Sequence, residues 1–350
     1  MKTKVWRVDP NIPDPRLLAE AAQAILEGKL VAFPTETVYG LGANALDRQA
    51  VQRVFVAKGR PAQDPLIVHL ASAELLSQVA RDIPPLAERL VKQFWPGPLT
   101  LVLWKQPHVL DEITAGLPTV AVRVPAHPVA LGLLQVSGVP IVAPSANRFG
   151  HVSPTTAQHV LEDLEGLIEG ILDAGPTPVG VESTVLDVTG SPPQVLRPGG
   201  ISLEALQSLI GPVVYSARFA EAGDQLAPQR SPGLLAKHYA PRAELWLFLG
   251  GKEQALGKMR ETAERLSSTG RRLGLLVSEE DRGLFSDLPL VVYSLGSERQ
   301  LDKVAQRLYA GLRSLDRRGV ELIFAREMAT EGLGWAICDR LRRAASRVVE

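Results

Sequence analysis

Cysteine is almost missing from this 350-residue sequence, in which Cys338 stands alone. One thiol cannot close an internal disulfide or build a cysteine cage for a metal, so disulfide-stapled secreted domains and zinc-ribbon modules are excluded. Aromatic residues make up only 5%, and Lys+Arg equals Asp+Glu at 38 each, giving a formal net charge of 0. A protein that holds nucleic acid mainly by its phosphates carries a basic excess interleaved with aromatics, and that pattern is lacking here. Stable RNA binding is therefore not expected. No apolar run approaches the ~18–20 residues that a membrane span needs. The opening MKTKVWRVDP has no apolar signal stretch, so a cytoplasmic protein away from the membrane is expected.

What is present is enough apolar sequence for two cores, since 45% of the residues are hydrophobic and single domains usually hold ~100–200 residues. Short apolar runs bounded by Gly, Pro or Asn at Leu30–Phe33, Leu66–Leu70, Leu99–Trp104, Val120–Val124, Ile141–Ala143 and Val185–Val188 predict strands. Helical spacing appears over Asp47–Ala57, Ala73–Ala80, Pro128–Val136 and Thr155–Leu164, with Thr155 suited to a first turn. Residues 1–211 thus read as one α/β unit. Residues 212–241, rich in Gly, Pro and Ala, read as a linker. Beyond it, strands at Glu244–Leu249, Leu273–Val277, Leu290–Tyr293 and Glu321–Phe324 alternate with helices at Lys252–Ser267 and Glu298–Arg317. That alternation predicts a small, doubly wound parallel-sheet domain over residues 242–350.

Chemistry gathers at the ends of the predicted elements. PTETVYGLG (Pro34–Gly42) follows the first strand and offers hydroxyls and backbone amides where α/β folds bind ligands; an ordinary polar turn accounts for it equally well. Lys58-Gly59-Arg60-Pro61 closes a helix, where the helix dipole alone favours cations, yet the arginine fork also fits phosphate oxygens bidentately. His69 lies in the apolar run LIVHL, a place more typical of a satisfied core histidine. In TVAVRVP, period-two alternation puts Thr119 and Arg123 on one face of a strand. A charge there needs a protein carboxylate or an anionic ligand. APSAN adds Ser145 and Asn147, and Ser153, Ser183 in VEST and Arg197 in VLRPG continue the series.

Taken together, PTETVYGLG, KGRP followed by DPLIVH, FWPGPLTLVL, VAVRVP, APSAN, ESTVLDV and VLRPG occur in an order that resembles the threonylcarbamoyl-AMP synthase family, whose catalytic part is a YrdC-like domain. SPGLLAKHYAP at Ser231–Pro241 is similar to the linker of the family's long form. The resemblance implies an α/β fold with a YrdC-like twisted catalytic domain followed by a smaller Rossmann-like domain.

It also implies a reaction. Threonine's amine captures bicarbonate or carbon dioxide as a carbamate, the carbamate attacks the α-phosphate of ATP, and pyrophosphate leaves L-threonylcarbamoyl-AMP. A separate transferase would then use the product to modify tRNA. Carried over residue by residue, the resemblance assigns Lys58 and Arg60 as catalytic cations on the phosphates. Asp64, Thr119, Ser145, Asn147, Ser153, Arg197 and Tyr239 complete the ATP site. Thr37, His69, Arg123, Ala143 and Ser183 form the threonine site. Mg2+ is expected to accompany ATP, with no protein ligand assigned to it, and the linker is expected to act as a lid with Tyr239 reaching toward the nucleotide. Two rivals remain at this level: a carbamoyl-adenylate-forming carbamoyltransferase, which the single cysteine and the HYAP linker disfavour, and an RNA-binding module.

Overall fold

The computed structural model describes residues 2–215, 228–232, 239–328 and 330–350. They form two compact units. Residues 2–149, 153–178, 182–215 and 228–232 make up the first, and 150–152, 179–181, 239–328 and 330–350 the second.

The first unit is built on twelve strands: β1 (Lys4–Arg7), β2 (Val31–Pro34), β3 (Tyr39–Asn44), β4 (Ile67–His69), β5 (Ala80–Arg81), β6 (Leu99–Lys105), β7 (Thr119–Arg123), β8 (Ile141–Val142), β9 (Gly170–Asp173), β10 (Thr184–Asp187), β11 (Gln194–Arg197) and β12 (Val214–Tyr215). Their order in one mixed sheet is β1-β9-β2-β3-β8-β4-β7-β6-β10-β11-β12, with β5 also paired to β6. The sheet reaches Tyr215, so the first unit runs past the boundary at residue 211 that composition suggests. PTETVYGLG is mostly a hairpin, because β2 and β3 pair antiparallel with Pro34 opposite Tyr39.

One sheet face is covered by the helices Arg48–Lys58, Pro85–Phe94, Ala157–Leu164 and Leu203–Ile210, whose apolar residues join Leu41, Val68, Leu101, Val122 and Leu186 in the main core. On the other face, Pro15–Leu26 and Pro128–Ser137 pack over Phe33, Ile141 and Ala143. Past β8 that face changes character. A small cluster of Ile67, Val102, Ala121 and Val185 sits beside the polar residues of the candidate site.

Local differences from the sequence reading have simple causes. The stretch Ala73–Ala80 is a 3-10 helix over Ala73–Gln78 followed by β5, because Ala80 and Arg81 are drawn into the sheet by pairing with Lys105 and Trp104 of β6. The helix in the Thr155–Leu164 stretch begins at Ala157, with Thr156 as the cap accepting from His159 N, while Thr155 Oγ1 meets His159 Nδ1 at 3.3 Å.

The second unit holds β13 (Glu244–Phe248), β14 (Leu273–Val277), β15 (Val291–Ser294), β16 (Leu322–Arg326) and β17 (Arg347–Val349) in the order β15-β14-β16-β13-β17, every pair parallel. The helices Lys252–Ser267, Leu301–Arg317 and Gly334–Ala344 connect them. No helix among the described residues is long and apolar enough to cross a membrane.

Candidate active site

Sheet register sets the first half of the site. His69 pairs with Arg123 across β4 and β7, Thr100 pairs with Val185 across β6 and β10, and Val185 pairs with Arg197 across β10 and β11. Directly opposed residues share a face, so their side chains form a row across the sheet. A register shift between Val185 and Leu186 places Arg197 opposite Val185, as a bulge re-aims a side chain.

Arg123 is 3% exposed and finds the carboxylate that the sequence requires in Glu36, with Nη2 donating to Oε1 at 2.6 Å. Its Nη1 donates to Thr37 Oγ1 at 3.2 Å, and Glu36 Oε2 accepts from Ala126 N. Thr35 steadies this turn by bonding Thr37 Oγ1 and Val38 O. Arg123 Nε is buried and has no hydrogen-bond partner among the described residues. Burial pulls the Arg123 pKa below the ordinary arginine value, Glu36 pulls it back, and the like charge of Arg197 pushes it down again.

Arg197 has no carboxylate partner among the described residues. Its Nε and Nη2 donate to Ser183 O at 3.3 and 3.1 Å, Nη2 also to Ser183 Oγ at 3.2 Å, and Nη1 to Pro232 O at 3.2 Å. Ser183 Oγ in turn lies 2.7 Å from Thr100 Oγ1. A guanidinium buried to 4% exposure with only neutral oxygens around it retains a strong demand for an anion.

His69 is buried, with Nδ1 at 3.2 Å from Ile67 O and its ring edge-on to Phe33. Burial first, and then the neighbouring Arg123 charge, bring its pKa down to about 3, so the ring is neutral near pH 7.

The second half lies across the β2–β3 hairpin. Asp47 caps the helix Arg48–Lys58 by accepting from Gln49 N and Ala50 N, and Gly59 ends it in the left-handed region at φ 61°, where glycine is favoured. Lys58, the last helical residue, is 3% exposed and turns its ammonium inward onto Ser145 O and Asn147 O, each at 2.5 Å. Burial, then the Arg60 charge, hold the Lys58 pKa well below its ordinary value, against the opposing pull of Asp64 and Asp163. Arg60 donates to Asp64 O and Pro65 O and pairs with Asp64 Oδ2 at 2.9 Å. APSAN is held beside the hairpin by Leu41 N to Pro144 O, Ala146 N to Tyr39 O and a bridge between Gly40 and Ser145. Ala143 N donates to Ile67 O, joining this segment to β4. Asn147 Nδ2 donates to Arg148 O, and Ser153 Oγ to Glu182 Oε1 at 2.6 Å.

The structure thus brings together Thr37, His69, Arg123, Ser183 and Arg197 in one group, and Lys58, Arg60, Asp64, Ser145 and Asn147 in another. Thr119 stands apart. It pairs with Trp104 at the far end of β7, four residues and about 13 Å of strand from Arg123. Tyr239 belongs to the second unit, where its ring stacks on Tyr309 at 5.8 Å and lies under the Arg340 guanidinium at 4.9 Å. Most of the linker expected to form a lid, residues 216–227 and 233–238 with His238, lies outside the described residues. Sequence reasoning passed over Glu36, Thr100 and Glu182. Glu36 left a signal, since it is the only charge in PTETVYGLG and Arg123 needs a partner.

Residues 23–199 match the Sua5–YciO–YrdC family, described as telomere recombination, and residues 201–346 match the threonylcarbamoyl-AMP synthase C-terminal domain. The chain belongs to the threonylcarbamoyl-AMP synthase family. It is 49% identical to the threonylcarbamoyl-AMP synthase of Pyrococcus abyssi over 325 residues, covering 93% of this chain and 92% of that one. With the Bacillus subtilis enzyme of the same name it shares 46%, covering 99% and 98%. A crystal structure of P. abyssi Sua5 complexed with L-threonine has a TM-score of 0.92 to it at 46% identity, with 99% of each chain covered. Membership over both units weighs against the carbamoyltransferase reading.

Proposed function

We propose that this chain converts L-threonine, bicarbonate and ATP to L-threonylcarbamoyl-AMP and pyrophosphate, and that its buried cations divide the anions of that reaction, Arg123 taking threonine's carboxylate while its neighbour Arg197 joins Lys58 and Arg60 on the phosphates. The observation that carries the reading is Arg197, a buried guanidinium whose partners among the described residues are all uncharged oxygens. Phosphate oxygens supply the missing charge.

In this reading Lys58, Arg60 and Arg197 neutralise the triphosphate, with Ser145, Asn147 and Ser153 orienting it and Asp64 holding the Arg60 guanidinium in place. Thr119 and Tyr239 are assigned to ATP by family resemblance alone. Arg123 meets threonine's carboxylate through its spare Nε donor, while Thr37, Ser183, His69 and the backbone at Ala143 surround the amino acid. The cluster of Ile67, Val102, Ala121 and Val185 on the same face is placed to favour threonine's methyl over serine, a difference worth ~1–3 kcal/mol.

Threonine's free amine forms a bond to the carbon of bicarbonate as that carbon's bond to its hydroxyl breaks, and the proton lost by nitrogen leaves with the hydroxyl as water. A carbamate oxygen then bonds to the α-phosphorus as the bond to the bridging oxygen breaks, and pyrophosphate carries away that electron pair. The chain's residues act by positioning and by charge stabilisation rather than as nucleophiles. His69 is a poor general base for an ammonium group, because a pKa of about 3 lies far from the working pH.

Glu36, Asp64 and Glu182 are already committed to Arg123, Arg60 and Ser153, and no group of three His, Cys, Asp or Glu among the described residues is arranged to hold a metal. This donor set fits magnesium carried by the nucleotide, which keeps waters and takes its ligands largely from phosphates. When bound, the ion offsets phosphate charge. Transfer of the product to a separate tRNA-modifying enzyme, a cytoplasmic location and the absence of stable tRNA binding belong to the same proposal, the last of them supported by the balanced net charge. The experiment that tests it measures pyrophosphate release with threonine and bicarbonate supplied separately and together.

A further inference from the structure

The second unit ends on an open sheet edge. Among the described residues β15 pairs only with β14. Leu295 N donates to Val277 O of the β14 side, and backbone direction alternates along a strand, so the amide and carbonyl groups of Val292 and Ser294 point away from the sheet. Beside them runs a groove of about 760 Å3. Its walls are apolar at Phe285, Leu288, Leu290 and Val292, and its rim carries the exposed cations Arg272, Arg282 and Arg318.

These cations are weakly committed. Arg282 lies 3.6 Å from Glu279, which also accepts from Ser294 Oγ. Arg318 Nη1 reaches Val292 O at 3.4 Å, at the limit of a hydrogen bond, so a side chain covers a carbonyl that a further strand would use. Among the described residues Glu279 is the only acidic one lining the groove.

We propose that this edge receives an extended, acidic and apolar segment of a partner protein, which adds a strand beside β15 and sets its carboxylates against Arg272, Arg282 and Arg318. Strand addition draws affinity from main-chain hydrogen bonds and specificity from alternate side chains, and this groove offers open backbone, an apolar wall and one sign of charge together. A second copy of the chain fits less well, because edge-to-edge pairing would bring the arginine rims toward each other. Single-stranded RNA would need stacking aromatics, whereas the only aromatic lining the groove among the described residues is the buried Phe285.

The test uses the full chain and a fluorescein-labelled Glu-Val-Glu-Val-Glu-Val peptide, with the Lys-Val analogue and a backbone N-methylated Glu-Val analogue as controls. Anisotropy is expected to show saturable binding of the acidic peptide only, with hydrogen-exchange protection at residues 291–294. Arg282→Glu with Arg318→Glu should weaken it by about tenfold or more while leaving pyrophosphate release unchanged. N-methylation should abolish it without any change to the protein. Equal binding of the acidic and basic peptides, binding indifferent to N-methylation, no saturation at millimolar peptide, self-association through this edge, or protection of 291–294 by an RNA oligonucleotide instead would each overturn the proposal.

Discussion

Arg123 and Glu36 form a buried ion pair across the sheet, with the guanidinium Nη2 at 2.6 Å from the carboxylate and both side chains under 10% exposed. Removing one member of such a pair strands the other, at a cost of about 3–5 kcal/mol. Glu36→Gln should therefore lower the unfolding free energy by about 3 kcal/mol. Arg123→Ala should do likewise and also weaken threonine about tenfold or more, leaving an ATP analogue bound nearly as before. Denaturant melts and calorimetry check both, and full threonine affinity in a folded Arg123→Ala protein would remove Arg123 from the amino-acid site.

Arg197 predicts the opposite balance of stability and function. Its charge is buried without a carboxylate among the described residues, so Arg197→Met relieves an uncompensated charge while keeping much of the side-chain volume. The variant should melt no lower than the parent and lose about 100-fold or more in pyrophosphate release. A variant that keeps its activity would show that Arg197 does not serve the nucleotide.

His69 and His127 give the fold a pH dependence. Burial lowers His69 to about 3 and His127 to about 4 from the ordinary 6.5, so below pH 6.5 the unfolded chain binds more protons than the folded one. Their stabilising contribution is complete above pH 6.5 and lost as pH falls toward these values. His69→Gln should flatten the fall between pH 6.5 and 5 by up to about 1.4 kcal/mol per pH unit. Urea titrations at a series of pH values measure it, and an unchanged slope would mean that His69 titrates normally.

Gly199 tests how closely the VLRPG turn must approach the VEST segment. A Cβ built there would lie 2.3 Å from Glu182 O and 2.4 Å from Thr184 N, and backbone atoms cannot swing aside as side chains do. Gly199→Ala should cost about 1–3 kcal/mol and impair threonine use by displacing Ser183. Gly190→Ala, whose Cβ meets nothing within 4 Å, is the control and should be close to neutral. Equal melting temperatures for the two would refute the close approach.

The sequence revealed most where periodicity was strong. Lys252–Ser267 and Leu273–Val277 have the bounds that spacing predicts, because long amphipathic helices and short apolar runs carry their own signal. β3 was hidden, since YGLGAN reads as a glycine-rich loop and becomes a strand only through pairing with β2 and β8. The elements Lys4–Arg7 and Gly170–Asp173 are likewise strands by virtue of each other, 166 residues apart at Lys4 and Gly170. In the site, the need of Arg123 for a countercharge was legible, but not its source. Glu36 and Arg123 are distant in sequence and meet only after the hairpin and β7 have found their places. Lys58 shows the same limit, because its position at a helix end is explained equally well by the helix dipole until its ammonium is seen turned onto Ser145 O and Asn147 O.

The central claim is that a carbamate of threonine, rather than threonine's own carboxylate, attacks ATP. The most direct measurement is pyrophosphate release by the purified protein in carbon-dioxide-depleted buffer with Mg2+ and ATP, adding threonine alone, bicarbonate alone, and both, with mass spectrometry of the adenylate formed. The account predicts rapid release only with both, and an adenylate carrying the added carbon. Release with threonine alone, accompanied by threonyl-AMP, would contradict it.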